Sequence, residues 1–266
     1  MELTGRVAVL TGAGHGIGAA MARRFGAAGA RGIVVSDLDG AAAEEVAESI
    51  NHAGGRAVGL RVDAAAKDDL RALVELAVER YGGLDVFCSN AGIAYGVGVY
   101  AEDERWQHSF ALNVLQHVHA AQVALPTMLR ARNGYLVITA SSAGLLTLPG
   151  DAPYSVTKHA AVALAEWLAL TYHTRGIKVS ALCPLGVRTP FLFDGVDAGH
   201  PAAAAVLAMG PLIEPEDVAE AVVSAMAEER LLILPHPSAG ETYARKAASP
   251  DEWIRETLAA LPNGKG

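Results

Sequence analysis

Short runs of apolar residues recur along the chain, and most are followed by a segment whose apolar residues repeat with helical spacing. Such runs, where glycine, proline or polar residues bound them, are typical of strands buried on both faces. Seven strands are predicted, at Val7–Leu10, Gly32–Ser36, Arg56–Val62, Leu84–Cys88, Tyr135–Ala140, Ile177–Leu182 and Leu231–Leu234. Helices are predicted after the first strand, from Tyr154 onward, and at Ala41–Ile50, Lys67–Tyr81, Glu104–Arg130 and Asp217–Ala227.

The alternation of these strands and helices predicts an α/β protein. Apolar strands that alternate with helices form a mostly parallel sheet with helices on both faces. Right-handed crossovers make the sheet doubly wound and place a ligand crevice at the carboxyl ends of its strands. No linker or internal repeat divides the 266 residues. We therefore expect one domain over residues 1–266, with a C-terminal tail at residues 240–266 that docks on this domain or on a neighbouring subunit.

Composition and charge exclude several classes of function. Apolar residues make up 52% of the chain, and the net charge is −8 with Lys and Arg dispersed. These values argue against disorder and against a nucleic-acid partner. No apolar run reaches the roughly 18 residues of a membrane span, and the first residues lack a signal-peptide core. Cys88 and Cys183 lie in apolar segments, so we expect buried thiols in the cytoplasm. No cluster of side chains has metal-ligand spacing, and no metal is predicted.

The strongest candidate chemistry follows the fifth predicted strand. Ser141 ends that strand, and Tyr154 and Lys158 lie four residues apart in the next helix, on one face. A free phenol has a pKa of about 10, which a neighbouring ammonium and a cationic nicotinamide ring can lower. The pair then serves as a proton shuttle while Ser141 holds a substrate oxygen. Alone, however, a Tyr-x-x-x-Lys pair is also a common surface arrangement.

A glycine-rich turn separates the first strand from the first helix. It runs Thr11-Gly12-Ala13-Gly14-His15-Gly16-Ile17-Gly18 and differs from the common G-x-G-x-x-G spacing. Glycines permit a tight turn and close approach to a ligand, and the helix offers free N–H groups to a pyrophosphate. Asp37 ends the second strand and can accept hydrogen bonds from ribose hydroxyls, which predicts NAD rather than NADP. A cationic His15 facing a 2′-phosphate would favour NADP, and Asp37 can also be a simple turn residue.

Polar residues also follow the third and fourth strands. Asp63 and Asn90-Ala91-Gly92 allow an adenosine group to lie against the backbone, although turn chemistry explains them equally well. Asn113 lies among apolar residues of a predicted helix, where its amide needs hydrogen-bond partners. We expect it to bend the helix or to hold a water.

Together these motifs resemble the short-chain dehydrogenase/reductase family, from about Val7 to Leu234. The resemblance implies a Rossmann-type fold in which Tyr154 is the general acid/base and Ser141 orients the substrate oxygen. It further implies that Lys158 lowers the phenol pKa and holds the nicotinamide ribose, while Asn113 positions a water. Asp63 would approach the adenine, and Asn90 would line the adenosine side. The cofactor-binding set it implies is Gly12, Gly14, His15, Gly16, Ile17, Gly18, Asp37, Asp63, Asn90, Ala91, Gly92, Tyr154, Lys158, Pro184, Val187 and Thr189.

The chain departs from the family pattern at one position and is ambiguous at another. Leu185 stands where the family has glycine after the sixth strand, which leaves the local backbone approach and pocket shape open. In Ala140-Ser141-Ser142-Ala143-Gly144, alignment on the last two residues selects Ser141 over Ser142 as the catalytic serine.

Residues 190–213 are predicted to form a loop that covers the substrate. The segment is apolar, contains Phe191 and Phe193, and is rich in glycine and proline. An apolar cover fits a hydrophobic alcohol or ketone, although the two phenylalanines can equally pack in the core. Tyr95 is a further candidate for the pocket wall.

The sequence therefore predicts an oxidoreductase that transfers a hydride between NAD(H) and a hydrophobic secondary alcohol or ketone. Two alternatives stay open: an NADPH-dependent ketoreductase acting on acyl or polyketide-like substrates, and a dinucleotide-binding sensor without turnover. The resemblance also implies a homotetramer or homodimer formed partly through the long fourth helix and the Tyr154 helix.

Overall fold

A computed structural model describes residues 1–147 and 149–260 of the chain. The strands are β1 Val7–Leu10, β2 Gly32–Asp37, β3 Ala57–Arg61, β4 Val86–Ser89, β5 Gly134–Thr139, β6 Ile177–Leu182 and β7 Leu232–Ile233. The helices are α1 Gly16–Ala27, α2 Gly40–His52, α3 Lys67–Tyr81, α4 Asp103–Phe110, α5 Gln116–Ala131, α6 Ala143–Leu146, α7 Ala152–Tyr172, α8 Pro190–Asp197, α9 Pro201–Ala208, α10 Pro215–Ala227, α11 Pro237–Ala248 and α12 Pro250–Ala260. The seven predicted strands are all found within about two residues of their predicted ends.

The strands form one sheet in the order β3-β2-β1-β4-β5-β6-β7, and every neighbouring pair is parallel. The predicted doubly wound sheet is thus confirmed and is wholly rather than mostly parallel. The strand order reverses between β1 and β4, and this reversal opens a crevice at their carboxyl ends. The glycine-rich turn follows β1 and Asn90 follows β4, so the sequence motifs meet at this point.

Alternate residues of each strand supply two cores, one on each face of the sheet. On one face Val9 and Phe87 pack with residues of α3 and α5, such as Leu70 and Met128. On the other face the neighbouring residue Leu10 packs with residues of α1 and α10. Cys88 and Cys183 are buried and unpaired within these layers. Helices therefore cover both faces of the sheet, and the carboxyl ends of the strands stay open to the crevice.

The long helix predicted at Glu104–Arg130 is not continuous. Between α4 and α5 the residues Ala111–Leu115 form a π-helical segment, with Asn113 fully buried at its centre. A π segment widens a helix by one residue and is frequent at functional sites. The Asn113 side chain bonds outside its own helix, as described below, and this contact holds the irregular turn in place.

The segment predicted as a covering loop at residues 190–213 contains two short helices, α8 and α9. The prolines that suggested a loop instead occupy the first position of each helix, where a missing N–H costs nothing. Thr189 accepts a hydrogen bond from the Leu192 N–H and caps α8. A bridge between Val187 and Ile213 closes the base of the segment.

The predicted tail is helical as far as the structure describes it, and residues 261–266 lie outside the described part. Trp253 of α12 is buried, and the Lys246 ammonium of α11 lies 5.0 Å from its ring centroid. Lys246 also donates a hydrogen bond to the Leu145 carbonyl beside the site. The described part of the tail thus docks on its own domain. None of the helices within residues 1–147 and 149–260 has the length and apolar character needed to cross a membrane.

Candidate active site

A cleft of about 740 Å³ lies at the carboxyl ends of the strands. It brings together most of the residues that the sequence predicts for the site: Gly12, His15, Gly16, Ile17, Gly18, Asp37, Asp63, Asn90, Ala91, Gly92, Ser141, Tyr154, Lys158, Pro184, Val187 and Thr189. Two predicted residues, Gly14 and Asn113, are outside its lining.

The glycine-rich turn is built around space that side chains would fill. Gly12 has a φ of +59°, and a Cβ there would come within 2.7 Å of the Ala91 Cα. A Cβ on Gly18 would collide with the Gly12 carbonyl oxygen and the Asn90 amide. Only glycine tolerates this conformation and this approach without strain. The turn therefore lies directly against the loop that follows β4.

The start of α1 presents free donors to the cleft. His15 occupies the N-cap position but makes no side-chain cap, and the first turn carries no acidic residue. The N–H groups of a helix start are unpaired within the helix and attract anions. The glycine turn and this helix start fit a pyrophosphate.

Asp37 supports the turn as well as facing the cleft. Its carboxylate accepts hydrogen bonds from the Gly14 N–H at 2.9 Å and from the Asp39 N–H at 3.1 Å. Gly14 packs against Asp37, and a Cβ there would come within 3.1 Å of the Asp37 carboxyl carbon; its predicted contact with the cofactor stays a prediction. The exposed His15 ring lies 3.6 Å from the Asp39 carboxylate. The predicted ribose acceptor is thus held in place by the turn itself.

Asn90 joins three strand ends through its amide group. Its Nδ2 donates to the carbonyls of Thr11, at 3.2 Å, and Gly12, at 2.8 Å. Its Oδ1 accepts from the Thr139 hydroxyl at 3.0 Å. The Gln116 amide donates to the Ala91 carbonyl from the other side. Asn90 therefore shapes the cofactor end of the cleft as well as lining it, whereas the exposed Asp63 caps its own turn at the Ala65 N–H.

Tyr154, Ser141 and Lys158 meet in one corner of the cleft. The Lys158 ammonium is buried, lies 5.5 Å from the centroid of the Tyr154 ring and donates to the Thr139 carbonyl at 2.8 Å. The Ser141 hydroxyl accepts from the Ala143 N–H at 3.1 Å and also interacts with the Tyr154 phenol. Ser142 has no side-chain hydrogen-bond partner among the described residues. The geometry thus favours Ser141, as the sequence alignment did.

Burial shifts the pKa values of the two groups in opposite directions. Burial raises the pKa of Tyr154 to about 12, against a smaller lowering by its hydrogen bond to Ser141. Burial also lowers the pKa of Lys158 to about 8. Desolvation is the largest cause of the Tyr154 pKa shift. The lowering of the phenol pKa that the sequence predicts, by Lys158 together with a cationic nicotinamide ring, stays a prediction. Both shifts favour the neutral form of each group.

Asn113 supports the site from beneath the cleft. Its Oδ1 accepts from the Ile93 N–H and its Nδ2 donates to the Ile93 carbonyl, both at 2.9 Å. The Nδ2 also donates to the Thr157 hydroxyl at 3.1 Å. These bonds tie the π segment to the loop after β4 and to the Tyr154 helix. The predicted role of Asn113 in positioning a water stays a prediction.

Sequence reasoning missed His236, which holds the loop that carries the unusual Leu185. Its Nδ1 accepts from the Leu185 N–H at 3.2 Å, and its Nε2 lies 3.0 Å from the Gly186 carbonyl. This pattern requires the neutral tautomer protonated on Nε2. Burial lowers the pKa of His236, which favours that form. No local signal reveals this residue, because its partners are about 50 positions away.

Sequence reasoning also missed Asp151, a buried carboxylate three residues before Tyr154. A local signal exists in this case, because Asp just before a proline-containing first turn is typical of a helix N-cap. Its side chain does cap α7 by accepting from the Tyr154 N–H. It also lines the cleft.

The helical segment α8–α9 closes the far side of the cleft. The half-exposed Phe191 ring lies 6.2 Å from the Tyr154 ring, centroid to centroid, and lines the cleft. Phe193 is 40% exposed and lies outside the lining, so neither phenylalanine is a core residue. Tyr95 is also outside the lining, and its hydroxyl pairs with His108, which does line the cleft. The wall around Tyr154 is thus mainly apolar.

Comparisons with known proteins agree with this arrangement. A family model described as short chain dehydrogenase matches residues 6–195. A 1-deoxy-11-beta-hydroxypentalenate dehydrogenase of Streptomyces exfoliatus is 33% identical, covering 90% of this chain and 86% of the relative. A cyclohexanol dehydrogenase of Acinetobacter sp. (strain SE19) is 31% identical, covering 86% and 90%. A solved short chain dehydrogenase/reductase from Burkholderia phymatum in complex with NAD has a TM-score of 0.85 and 29% identity, covering 100% of this chain and 99% of that chain.

The parallel sheet, the glycine-rich turn and the buried Tyr154–Lys158 pair define a class of α/β oxidoreductases. Within that class, the chain belongs to the short-chain dehydrogenase/reductase family. The family and the Rossmann-type fold predicted from the sequence are therefore confirmed.

Proposed function

We propose that the protein is an NAD-dependent dehydrogenase that interconverts a hydrophobic secondary alcohol and its ketone. The observation that carries this proposal is the meeting of Ser141, Tyr154 and Lys158 in one cleft with the glycine-rich turn. Named relatives support it, since one is a cyclohexanol dehydrogenase and another a hydroxypentalenate dehydrogenase. A structural neighbour was solved with NAD.

The cofactor would be held along the cleft by the residues already described. The turn around Gly12 and the start of α1 would take the pyrophosphate, and Asp37 would take the adenosine ribose. Lys158 would hold the nicotinamide ribose beside Tyr154. NAD bound in this way would supply the acceptor for the hydride of the carbinol carbon.

The proton of the alcohol is handled by the protein. The Ser141 hydroxyl would hydrogen-bond the substrate oxygen and hold it beside the Tyr154 phenol. In oxidation the ionised phenol takes the hydroxyl proton, and in reduction the neutral phenol returns a proton to the carbonyl oxygen. Because burial raises the pKa of Tyr154 to about 12, we expect oxidation to accelerate with alkaline pH. Reduction should be favoured near neutrality.

Two carboxylates support NAD over NADP. Asp37 lines the cleft and Asp39 lies beside His15, so both would repel a 2′-phosphate. The Arg61 guanidinium donates to the Leu38 carbonyl at 3.1 Å and, like a cationic His15, would favour the NADPH alternative. We expect NAD to be preferred because the Asp37 carboxylate is hydrogen-bonded to the turn at Gly14 and the Asp39 carboxylate contacts it at His15.

The proposal is tested by nicotinamide absorbance across a panel of hydrophobic secondary alcohols and ketones, with NAD(H) and NADP(H) in parallel. The key variant is Tyr154→Phe, and Tyr135→Phe is a matched control. Both phenols are buried with a pKa raised to about 12, but the Tyr135 hydroxyl pairs with Ser180 away from the cleft. We expect Tyr154→Phe to lose about a thousandfold in kcat and Tyr135→Phe to keep it.

The outcomes separate the alternatives. Turnover with NAD that disappears only in Tyr154→Phe supports the proposal. A clear preference for NADP would favour the NADPH-dependent ketoreductase. Tight NAD binding with no turnover on any alcohol or ketone would favour the dinucleotide-binding sensor.

We also propose that the protein is cytoplasmic and assembles as a homotetramer or homodimer. Among its exposed large apolar side chains, five lie on α4, on the π-helical segment that follows it and on α7: Phe110, Leu115, Val156, Trp167 and Leu170. Such a surface is expensive to leave in water. Light scattering of Trp167→Glu should give a smaller particle than the unmodified protein, and an unchanged mass would reject this interface.

A further inference from the structure

Asp151 joins two parts of the active site that are distant in sequence. One oxygen of its buried carboxylate accepts from the Tyr154 N–H at 2.9 Å. The other accepts from the N–H groups of Tyr95 and Gly96, each at 2.7 Å. A carboxylate only accepts hydrogen bonds, so it matches three backbone donors. Within residues 1–147 and 149–260, no Lys, Arg or His side chain forms an ion pair with it.

The loop that Asp151 holds, residues 93–97, forms the substrate side of the cleft. Its first residue is fixed by Asn113, and the Val97 carbonyl accepts from the Ala152 N–H at 2.8 Å. The middle of the loop is attached to α7 by Asp151. Gly96, with a φ of +64°, lies against the ring of His200 at the start of α9. The carboxylate thus sits where the loop, the Tyr154 helix and the α8–α9 cover converge.

The charge of this carboxylate acts on the phenol. Burial has the largest effect on the Tyr154 pKa and raises it, and the hydrogen bond to Ser141 lowers it. The Asp151 charge has the next largest effect and raises the pKa. The titratable groups facing this corner are Tyr154 and Lys158 from α7, Cys183 after β6, Tyr95 from the loop, His108 from α4 and His200 before α9. The neighbouring cation, Lys158, is directed to the Thr139 carbonyl instead.

We propose that Asp151 is a positioning residue of the active site, whose carboxylate fastens loop 93–97 to the first turn of the Tyr154 helix and places a negative charge beside the phenol. The role in catalysis rests on the dehydrogenase function proposed above. The attachment of the loop does not, and it can be measured without turnover.

The test compares Asp151→Asn with Asp217→Asn. Asparagine keeps the size of Asp151 and one oxygen for the Tyr154 N–H, but it removes the charge and turns an NH2 toward the loop donors. Asp217 accepts the Glu214 N–H in the capping box of α10, away from the cleft, and is the matched control. Amide hydrogen exchange reports on loop 93–97, and the pH profile of kcat/KM for alcohol oxidation reports on the phenol.

We expect Asp151→Asn to exchange faster at Tyr95 and Gly96 and to move the alkaline midpoint of the profile down by about one pH unit. Asp217→Asn should change neither. Unchanged exchange in the loop together with an unchanged midpoint would overturn the proposal. If Asp151→Asn does not fold, Asp151→Ser keeps the cap at Tyr154 and removes the charge and the reach to the loop, with the same expected results. An unmodified protein with no turnover would reject the dehydrogenase function, and hydrogen exchange would still decide the attachment.

Discussion

The two ends of the cleft are constructed differently. At the cofactor end, the turn around Gly12 and the start of α1 present backbone N–H groups and empty space, with little side-chain chemistry. At the catalytic end, Tyr154 and Lys158 are buried polar side chains whose pKa values have moved in opposite directions. The cofactor end depends on glycines, which have no side chain to fill the space. The catalytic end depends on polar groups whose burial destabilises the protein.

This difference predicts that substitutions at the two ends change the stability of the fold in opposite directions. A side chain added at the cofactor end meets backbone, so it should damage binding and stability together. A polar group removed from the catalytic end relieves a desolvation cost, so it should abolish activity while raising stability.

The largest effect is expected for Gly12→Ala. The added Cβ meets the Ala91 backbone at 2.7 Å, and alanine is strained at a φ of +59°. We expect NAD affinity to fall at least about 100-fold, or roughly 3 kcal/mol, measured by calorimetric titration. Unfolding free energy should fall by about 2 kcal/mol or more.

Gly82→Ala is the control for Gly12→Ala. Gly82 also has a positive φ, +80°, but a Cβ there meets no atom within 4 Å. Backbone strain alone should cost about 1 to 2 kcal/mol of stability and leave NAD affinity unchanged. Equal affinity losses in both variants would show that strain, not the close approach, governs binding.

The next effect is expected for Lys158→Met, which should be inactive and more stable. The Lys158 pKa is lowered from 10.5 to about 8, which corresponds to roughly 3 kcal/mol of desolvation cost. Loss of the hydrogen bond to the Thr139 carbonyl lowers the stability of the variant by about 1 kcal/mol. A net gain of about 2 kcal/mol should raise Tm by several degrees near pH 7.

The pH dependence of that gain has a definite sign. Below pH 8 both folded and unfolded Lys158 are charged, and the full cost is present. The cost fades as pH rises from 8 through 10.5, above which both are neutral, and the advantage of methionine fades with it. Lys178→Met, which removes a partly exposed lysine paired with Glu229, should bring no gain. A lower Tm for Lys158→Met than for the unmodified protein would contradict this account.

The smallest effect is expected at the cover. A Cβ on Gly96 would collide with the His200 ring, so Gly96→Ala should displace α9 from loop 93–97. We expect KM for the alcohol to rise about three- to tenfold with little change in NAD affinity. Gly98→Ala is the control, since no atom lies within 4 Å of its Cβ. Steady-state kinetics that give equal KM values for both variants would argue against a closed cover.

The sequence predicted the sheet and the catalytic corner because their signals are local. Apolar runs mark the strands, and Tyr154 and Lys158 share a helix face by spacing alone. At Asn113 the sequence predicts a bend or a bound water but not a π segment, because that segment depends on bonds to Ile93, which belongs to another part of the chain. The role of His236 and the bonds of Asp151 to loop 93–97 were missed for the same reason, since their partners lie about 50 positions away, whereas the helix cap formed by Asp151 has a local signal.

One further prediction failed for a physical reason. Residues 190–213 are predicted to be a loop because they are rich in glycine and proline, yet Pro190 and Pro201 begin helices. The sequence also could not reveal that the Tyr154 pKa is raised in this structure, because spacing shows the neighbouring Lys158 but not the degree of burial. Burial comes from elements distant in sequence, such as α8 with Phe191.

The most direct test of the division between the two ends is calorimetric titration of Tyr154→Phe with NAD, beside Gly12→Ala. We predict that Tyr154→Phe binds NAD within about fivefold of the unmodified protein although its turnover is lost, because the phenol contributes chemistry more than affinity. Gly12→Ala should lose at least about 100-fold in affinity. Normal NAD affinity in Gly12→Ala, or an equally large loss in Tyr154→Phe, would contradict the account.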